Sequence, residues 1–191
     1  MTSSATPERL SLKKSSPLIL ECPDSKLAAR LRTLLRGLPP LSGAPIRVEA
    51  SPGLHDRYGE VHAGSFLRER RIALNCTRAE FRRIVIHELF HFVWLRLGNP
   101  LRQSYEALLR AERANGELGW SAEWRRQRLR RADRRLRSRR WREYCCESFC
   151  DTAAWLYAGV EQHAEFTLAG RHRRDRRVWF RQALGKRELP V

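Results

Sequence analysis

The chain has 191 residues, 42% of them hydrophobic, and its six tryptophans and seven phenylalanines are enough to fill the core of one domain. Only four of its 38 basic residues are lysine, and the formal net charge of +17 suits either a polyanionic partner or a solvated basic surface. No apolar run is long enough to cross a bilayer or to form the core of a signal peptide, so we expect a cytoplasmic protein without a membrane segment. The odd number of cysteines, five, and the adjacent pair Cys145 and Cys146 favour reduced thiols over a disulfide framework.

The predicted elements begin after an N-terminal tail. Residues 1–16 are rich in serine, threonine and lysine and are expected to be disordered, whereas 17–191 are expected to form one domain. Asp24 or Ser25 is placed to cap a helix that runs through Leu35. Four other segments have the patterns of strands: 18–20, 46–50, 58–67 and 71–76.

The apolar segment after the last of these strands is predicted to be a buried helix. Thr77 is placed to cap it, with Glu80 three residues later completing a capping box. Gly98 and Pro100 are expected to end it. The strand just before this helix can offer an unpaired edge, to which an extended peptide adds as a further strand.

This helix carries an H-E-x-x-H motif formed by His87, Glu88 and His91. Four residues are just over one helical turn, so the two imidazoles project from one face and can bind a single Zn²⁺. Glu88 lies beside them and can take a proton from a metal-bound water. Because ionisable groups are costly inside an apolar helix unless they are satisfied, we favour a metal over histidines that are merely satisfied within the core.

A catalytic zinc site needs a third protein ligand, and Glu147 is the best candidate. It is the middle one of three acids, Glu143, Glu147 and Asp151, which are spaced four residues apart on an otherwise apolar helix. Asp151 can accept the free N–H of His87 or His91 and so set its tautomer. An acidic stripe that faces nearby arginines is the alternative, and Asp151 or Glu143 can replace Glu147 as the ligand. Further candidate ligands are the cysteines and the other histidines: His55, His62, His163 and His172.

Residues 101–142, the basic segment, contain the densest run of arginine. We predict a helical hairpin inserted between the two ligand-bearing helices, with Leu129, Leu136 and Trp141 forming a sparse apolar line. The preferred interpretation is a solvated outer face. A clamp on nucleic acid or on an acidic partner, formed by residues 125–142, is the alternative.

The run from His87 to His91 and the later run from Glu147 to Ala154 resemble the gluzincin zinc metallopeptidases, and within them the small ImmA/IrrE-like proteins. The resemblance covers residues 45–100 and 141–160. It implies an α+β fold in which a small antiparallel or mixed sheet packs on the H-E-x-x-H helix and on a second ligand-bearing helix, here with the Arg-rich helical insertion.

The resemblance also implies a function, that of a cytoplasmic regulatory zinc protease. Its ligands would be His87, His91 and Glu147, and Glu88 would be the general base for hydrolysis of a protein or peptide. The basic charge, rather than the resemblance, suggests a substrate that is acidic or DNA-bound. Two alternatives remain: a DNA-associated protease of the SprT-like type, and a non-enzymatic basic protein that binds nucleic acid.

An oxyanion-stabilising donor would complete such a site. Tyr144, Tyr157 and His163 are candidates, and the sequence does not choose among them.

Overall fold

The computed structural model describes residues 20–57, 59–112, 115–185 and 187–191. Within these residues there are seven helices and several small sheets, so the mixture of helix and sheet that the sequence predicts is confirmed. The helices are α1 (Ser25–Leu35), α2 (Phe81–Arg96), α3 (Asn99–Ala111), α4 (Trp120–Arg126), α5 (Arg131–Leu136), α6 (Arg139–Tyr157) and α7 (Gly170–Leu184). The strands are β1 (Leu20–Glu21), β2 (Leu41–Ser42), β3 (Ile46–Ala50), β4 (His55–Asp56), β5 (Gly59–Glu60), β6 (Ala63–Phe66), β7 (Arg71–Leu74) and β8 (Leu189–Pro190). None of the described helices combines the length and apolar content that crossing a bilayer requires.

The N-terminal elements agree in part with those predicted from the sequence. The predicted tail, 1–16, lies outside the described residues, as does most of the predicted strand 18–20. Helix α1 is capped by Asp24, whose carboxylate accepts a hydrogen bond from the backbone N–H of Leu27 at 2.7 Å.

The main sheet has four strands in the order β1-β3-β7-β6 and is mixed. Strands β1, β3 and β7 run parallel, and β6 is antiparallel to β7, as expected for a hairpin around the turn at 68–70. The expectation of an unpaired edge on the strand just before the H-E-x-x-H helix is wrong, because that strand, β7, is paired on both sides. Its residues Ile72 and Ala73 are fully buried, which is typical of an internal strand. The edge belongs to β6, which pairs with β7 alone among the described strands.

Helix α2 begins at Phe81, four residues after the predicted cap. The backbone N–H of Glu80 donates to Thr77 Oγ1 at 3.4 Å, but the predicted capping box is wrong. The Glu80 carboxylate instead binds the Arg83 guanidinium at 2.6 Å and His163 at 3.1 Å, so its oxygens are occupied by side chains rather than by a backbone N–H. The helix ends at Arg96 before Gly98, as predicted, and the proline that follows lies in the first turn of α3.

The core lies where α2 and α6 pack along each other, in the most extensive contact between elements of the described chain. Both helices are apolar over most of this contact. The fully buried side chains that fill it include Val85, Leu89, Phe90, Val93, Phe149 and Ala153. The two predicted ligand-bearing helices are therefore direct neighbours.

The basic segment is not the helical hairpin that the sequence predicts. It contains α3, α4, α5 and the start of α6. Helix α5 ends at Leu136, and the next residue, Arg137, has a left-handed backbone conformation with φ of 48° that separates α5 from α6. The predicted apolar line is also wrong, because Leu136 is 68% exposed whereas Trp141 is fully buried. Arg137 binds the buried carboxylate of Glu106, and this ion pair stabilises the turn between the two helices. The turn contains neither glycine nor proline, so no turn signal in the sequence indicated it.

A buried ion cluster, formed by Glu112, Glu117 and Arg176, holds α7 against the basic segment. The Arg176 guanidinium is completely buried and lies 2.7 Å from a carboxylate oxygen of each glutamate. The hydroxyl of Tyr144, on α6, also donates to Glu117. This cluster ties α6, α7 and the chain that leads into α4 to one another.

We expect Arg176→Met to lower the free energy of unfolding by about 3–5 kcal/mol, because it leaves two buried carboxylates without their counter-charge. Arg174→Met on the exposed side of the same helix should change it by no more than about 0.5 kcal/mol. Urea unfolding followed by circular dichroism measures both variants. Equal stability of the two variants would contradict a stabilising role for the cluster.

Candidate metal centre

Helix α2 presents the two histidines of the motif to α6. The Nε2 atoms of His87 and His91 lie 3.2 Å apart, and the two rings meet edge to face. Both side chains are largely buried, with exposed fractions of 12% and 17%. One turn of helix α2 therefore places two imidazole nitrogens at the same point of the interface.

Glu147, on α6, completes a set of three donor atoms. Its Oε2 lies 3.3 Å from Nε2 of His87 and 3.7 Å from Nε2 of His91. A tetrahedral ion with ligands at about 2.0–2.1 Å separates its ligand atoms by about 3.3 Å. These three atoms, the metal donors, are therefore spaced as ligands of one metal ion, and they form one of two such groups among the described residues.

The carboxylate of Glu147 is ionised in this environment. Burial would raise its pKa, but the attraction of His91, the hydrogen bond to His87 and the charge of Arg125 outweigh burial and hold the pKa well below its ordinary value. An ionised carboxylate is what a divalent cation requires of this ligand, and the histidines release their extra protons when a metal binds.

Asp151, one turn further along α6, fixes the orientation of His87. Its Oδ1 lies 2.7 Å from Nδ1 of His87, and its Oδ2 accepts the backbone N–H of Ala122 at 3.0 Å. Asp151 therefore faces the side of the imidazole away from the metal donors. With Nδ1 carrying the proton, the lone pair of His87 Nε2 points toward them.

The alternative ligands of the sequence analysis lie elsewhere. Glu143 pairs with Arg139 at 2.7 Å on the surface. Among the residues that the structure describes, neither metal-binding group includes Asp151 or any histidine other than the motif pair. The four remaining histidines are therefore not brought to the metal donors: His55, His62, His163 and His172.

Glu88 is held by a residue that the sequence analysis missed. The hydroxyl of Ser65, in the edge strand β6, lies 2.5 Å from Oε2 of Glu88 and 2.8 Å from its backbone carbonyl. A serine in a short strand carries no pattern that would have identified this contact.

Arg125, on α4, is a second residue whose contact the sequence analysis missed. The sequence assigned its segment to a solvated face or to a nucleic-acid clamp. Its Nε and Nη2 both donate to Oε1 of Glu147, at 3.0 and 2.9 Å. The two oxygens of Glu147 therefore have different partners: Oε1 faces the guanidinium, and Oε2 faces the histidines.

A second group of donors lies on the opposite edge of the His91 ring. The Sγ atom of Cys146 is 3.4 Å from Nδ1 of His91, and with Cys150 these residues form the other group that could hold a metal ion. A hydrogen bond from Cys150 and the charge of His91 outweigh burial and lower the pKa of Cys146 to about 6. Burial would lower the pKa of His91, but the charges of Cys146 and Glu147 raise it to about 9. In the metal-free protein the two form a thiolate–imidazolium pair.

The candidate oxyanion donors have other partners. The Tyr144 hydroxyl donates to Glu117 in the buried ion cluster, and His163 binds Glu80. The ring of Tyr157 stacks on Phe90 at a centroid distance of 5.6 Å.

No model of a protein family matches this chain, and no curated protein or solved structure matches it either.

The Cys146 thiol should be alkylated by iodoacetamide in metal-free protein with a midpoint near pH 6, because the thiolate is the reactive form. Cys76, whose pKa is raised by burial, should react only in the alkaline range. Peptide mapping by mass spectrometry separates the two sites. Cys150→Ala should move the Cys146 midpoint upward, and a midpoint for Cys146 as alkaline as that of Cys76 would contradict the pairing with His91.

Proposed function

We propose that this chain is a zinc-dependent metallopeptidase of the gluzincin kind, similar to the ImmA/IrrE-like proteins, that acts as a regulatory protease in the cytoplasm. The observation that carries the proposal is the convergence of His87, His91 and Glu147 at the spacing of one tetrahedral ion, with Glu88 next in sequence to the first ligand. Two imidazole nitrogens and one carboxylate oxygen are a donor set that zinc uses in hydrolases. Three protein ligands leave a fourth position for water.

Each residue of the site would have a separate role in peptide hydrolysis. Zinc bound to the three ligands would supply a water of lowered pKa and would polarise the scissile carbonyl. Glu88 takes the proton of that water and later passes it to the leaving amine. Ser65 holds the Glu88 carboxylate through its hydroxyl, and Asp151 keeps His87 in the tautomer that binds through Nε2.

The substrate on this proposal is a protein or peptide in extended form. Strand β6 pairs with β7 alone within the described part of the chain, so its other edge has backbone groups available to a further strand. Ser65 lies in β6 and contacts Glu88, so a peptide paired with this edge would run close to Glu88, the proposed general base. The net charge of +17 favours a substrate that is acidic or bound to DNA.

Glu88→Gln should keep about one zinc per chain and lose peptidase activity by about 10²–10⁴-fold or more, because only proton transfer is removed. His87→Ala and Glu147→Ala should both lose the metal, whereas His163→Ala should retain it. Elemental analysis gives the zinc content, and cleavage of fluorescently labelled casein gives the activity. Retained activity in zinc-loaded Glu88→Gln would exclude this mechanism.

A second candidate function is binding of nucleic acid by the basic segment, either alongside the peptidase activity, as in an SprT-like protease, or without it. Four arginines and one leucine line a surface pocket between α4 and α5: Arg126, Leu129, Arg130, Arg131 and Arg134. A polyanion bound there would release counterions, so its affinity would depend steeply on salt.

Replacing Arg130, Arg131 and Arg134 together by glutamine should weaken binding to a labelled double-stranded oligonucleotide and reduce the slope of log affinity against log salt by about 0.9 for each lost phosphate contact. Zinc content should stay the same, because none of these three residues contacts the metal donors. Fluorescence anisotropy at several salt concentrations measures the slope. An unchanged slope in the triple variant would remove the basic segment as the binding surface.

A further inference from the structure

Helix α4 lies over the metal centre and contacts two carboxylates of α6, those of Glu147 and Asp151. The backbone N–H of Ala122 donates to Asp151, and the Arg125 side chain, about one turn later, donates to Glu147. Glu147 and Asp151 are themselves one turn apart on α6, so the two contacts match in spacing, with α4 running in the opposite direction. Helix α4, which makes both contacts, belongs to the basic segment.

The approach of α4 to α6 is close enough to constrain its first residues. A Cβ atom built at Gly119 would lie 2.2 Å from the carboxylate carbon of Asp151, so a side chain at this position cannot be accommodated without movement of the buried carboxylate. The absence of a side chain at Gly119 therefore lets the Asp151 carboxylate approach the start of α4.

The bonds from Arg125 leave one oxygen of Glu147 for a metal. Two N–H groups of Arg125 donate to Oε1, and the Glu147 side chain is only 12% exposed. A carboxylate without such a partner can bind a metal through one oxygen or through both. With Oε1 occupied, Oε2 alone faces the histidines.

Charge density alone does not explain this contact. Arg126, the next residue, directs its guanidinium to Glu123 in its own helix at 2.7 Å. The two adjacent arginines carry the same charge on the same short helix, and of the two only Arg125 is hydrogen-bonded to Glu147.

We propose that Arg125 is a positioning residue of the metal centre, which holds Glu147 as a ligand through one oxygen, so that α4 of the basic segment is part of the site. The inference rests on the ligand set of the proposed function. It predicts that loss of Arg125 alters both the affinity for the metal and its coordination number.

The test compares Arg125→Met with Arg126→Met, which removes the same charge from the neighbouring position. Competition with a chromophoric chelator should show zinc affinity about 10–100-fold weaker in Arg125→Met, the usual effect of losing a partner of a metal ligand, and unchanged in Arg126→Met. Arg125→Lys should recover part of the affinity, because an ammonium group can hold Oε1 without the two-pronged geometry. Circular dichroism establishes that each variant is folded.

Cobalt substitution reports the coordination geometry without any activity measurement. Visible absorption of the Co²⁺-loaded protein should be weaker in Arg125→Met than in the wild type, because a carboxylate that binds through both oxygens raises the coordination number above four. The Arg126→Met spectrum should match the wild type.

A double variant tests whether Arg125 acts through Glu147. Glu147→Gln removes the carboxylate ligand and should not hold zinc through purification, but chelator competition can still measure the weak affinity of the remaining histidine pair. Adding Arg125→Met to this background should not weaken that residual affinity further. Wild-type affinity and spectrum in Arg125→Met, or equal losses in Arg125→Met and Arg126→Met, would overturn the proposal while leaving the zinc site in place. A wild-type protein that binds no zinc would overturn the ligand set itself, and the proposed function would fail with it.

Discussion

The packing of α2 against α6 buries two imidazoles and two carboxylates in an interface that is otherwise apolar, and much of the surrounding structure satisfies these groups. Ionisable side chains in such a place are strongly destabilising unless each has a partner. Here His87 pairs with Asp151, His91 lies against Cys146, and Glu147 binds Arg125. The outer oxygen atoms of both carboxylates are bonded to α4, so a helix from outside the two-helix interface is required to complete it.

The buried ion cluster extends this dependence to α7. Arg176 binds Glu112 at the end of α3 and Glu117 just before α4, so it anchors both ends of the connection that leads to α4. Tyr144 links the same cluster to α6, the helix that carries Glu147. The ion cluster and the metal centre are therefore connected through α6 and through the chain that enters α4.

The high content of arginine has a partly internal explanation. Arg125, Arg137 and Arg176 all neutralise carboxylates that are largely buried, at Glu147, Glu106 and the ion cluster. A guanidinium group serves such places well, since its planar array of donors matches a carboxylate and it stays charged on burial. The count of 38 basic residues thus overstates how many are available to an external partner, whereas the net charge of +17 already leaves out the arginines that are paired with carboxylates.

The sequence by itself determined the features that depend on helical periodicity. The spacing of His87 and His91, and that of Glu147 and Asp151, places each pair on one face of a helix whatever the rest of the chain does. It favoured Glu147 as the third ligand while the other histidines and the cysteines stayed open, and it indicated the hairpin that β6 and β7 form. These are local properties, which neighbouring residues in the chain decide.

The tertiary structure alone decided which groups face one another across elements. Ser65 reaches Glu88 over 23 residues, Arg125 reaches Glu147 over 22, and Cys146 reaches His91 over 55. It also decided that β7 is internal and that β6 is an edge strand of the main sheet. The partners in these contacts come from different elements, so the packing of those elements, which no local pattern encodes, selects one arginine or serine among many.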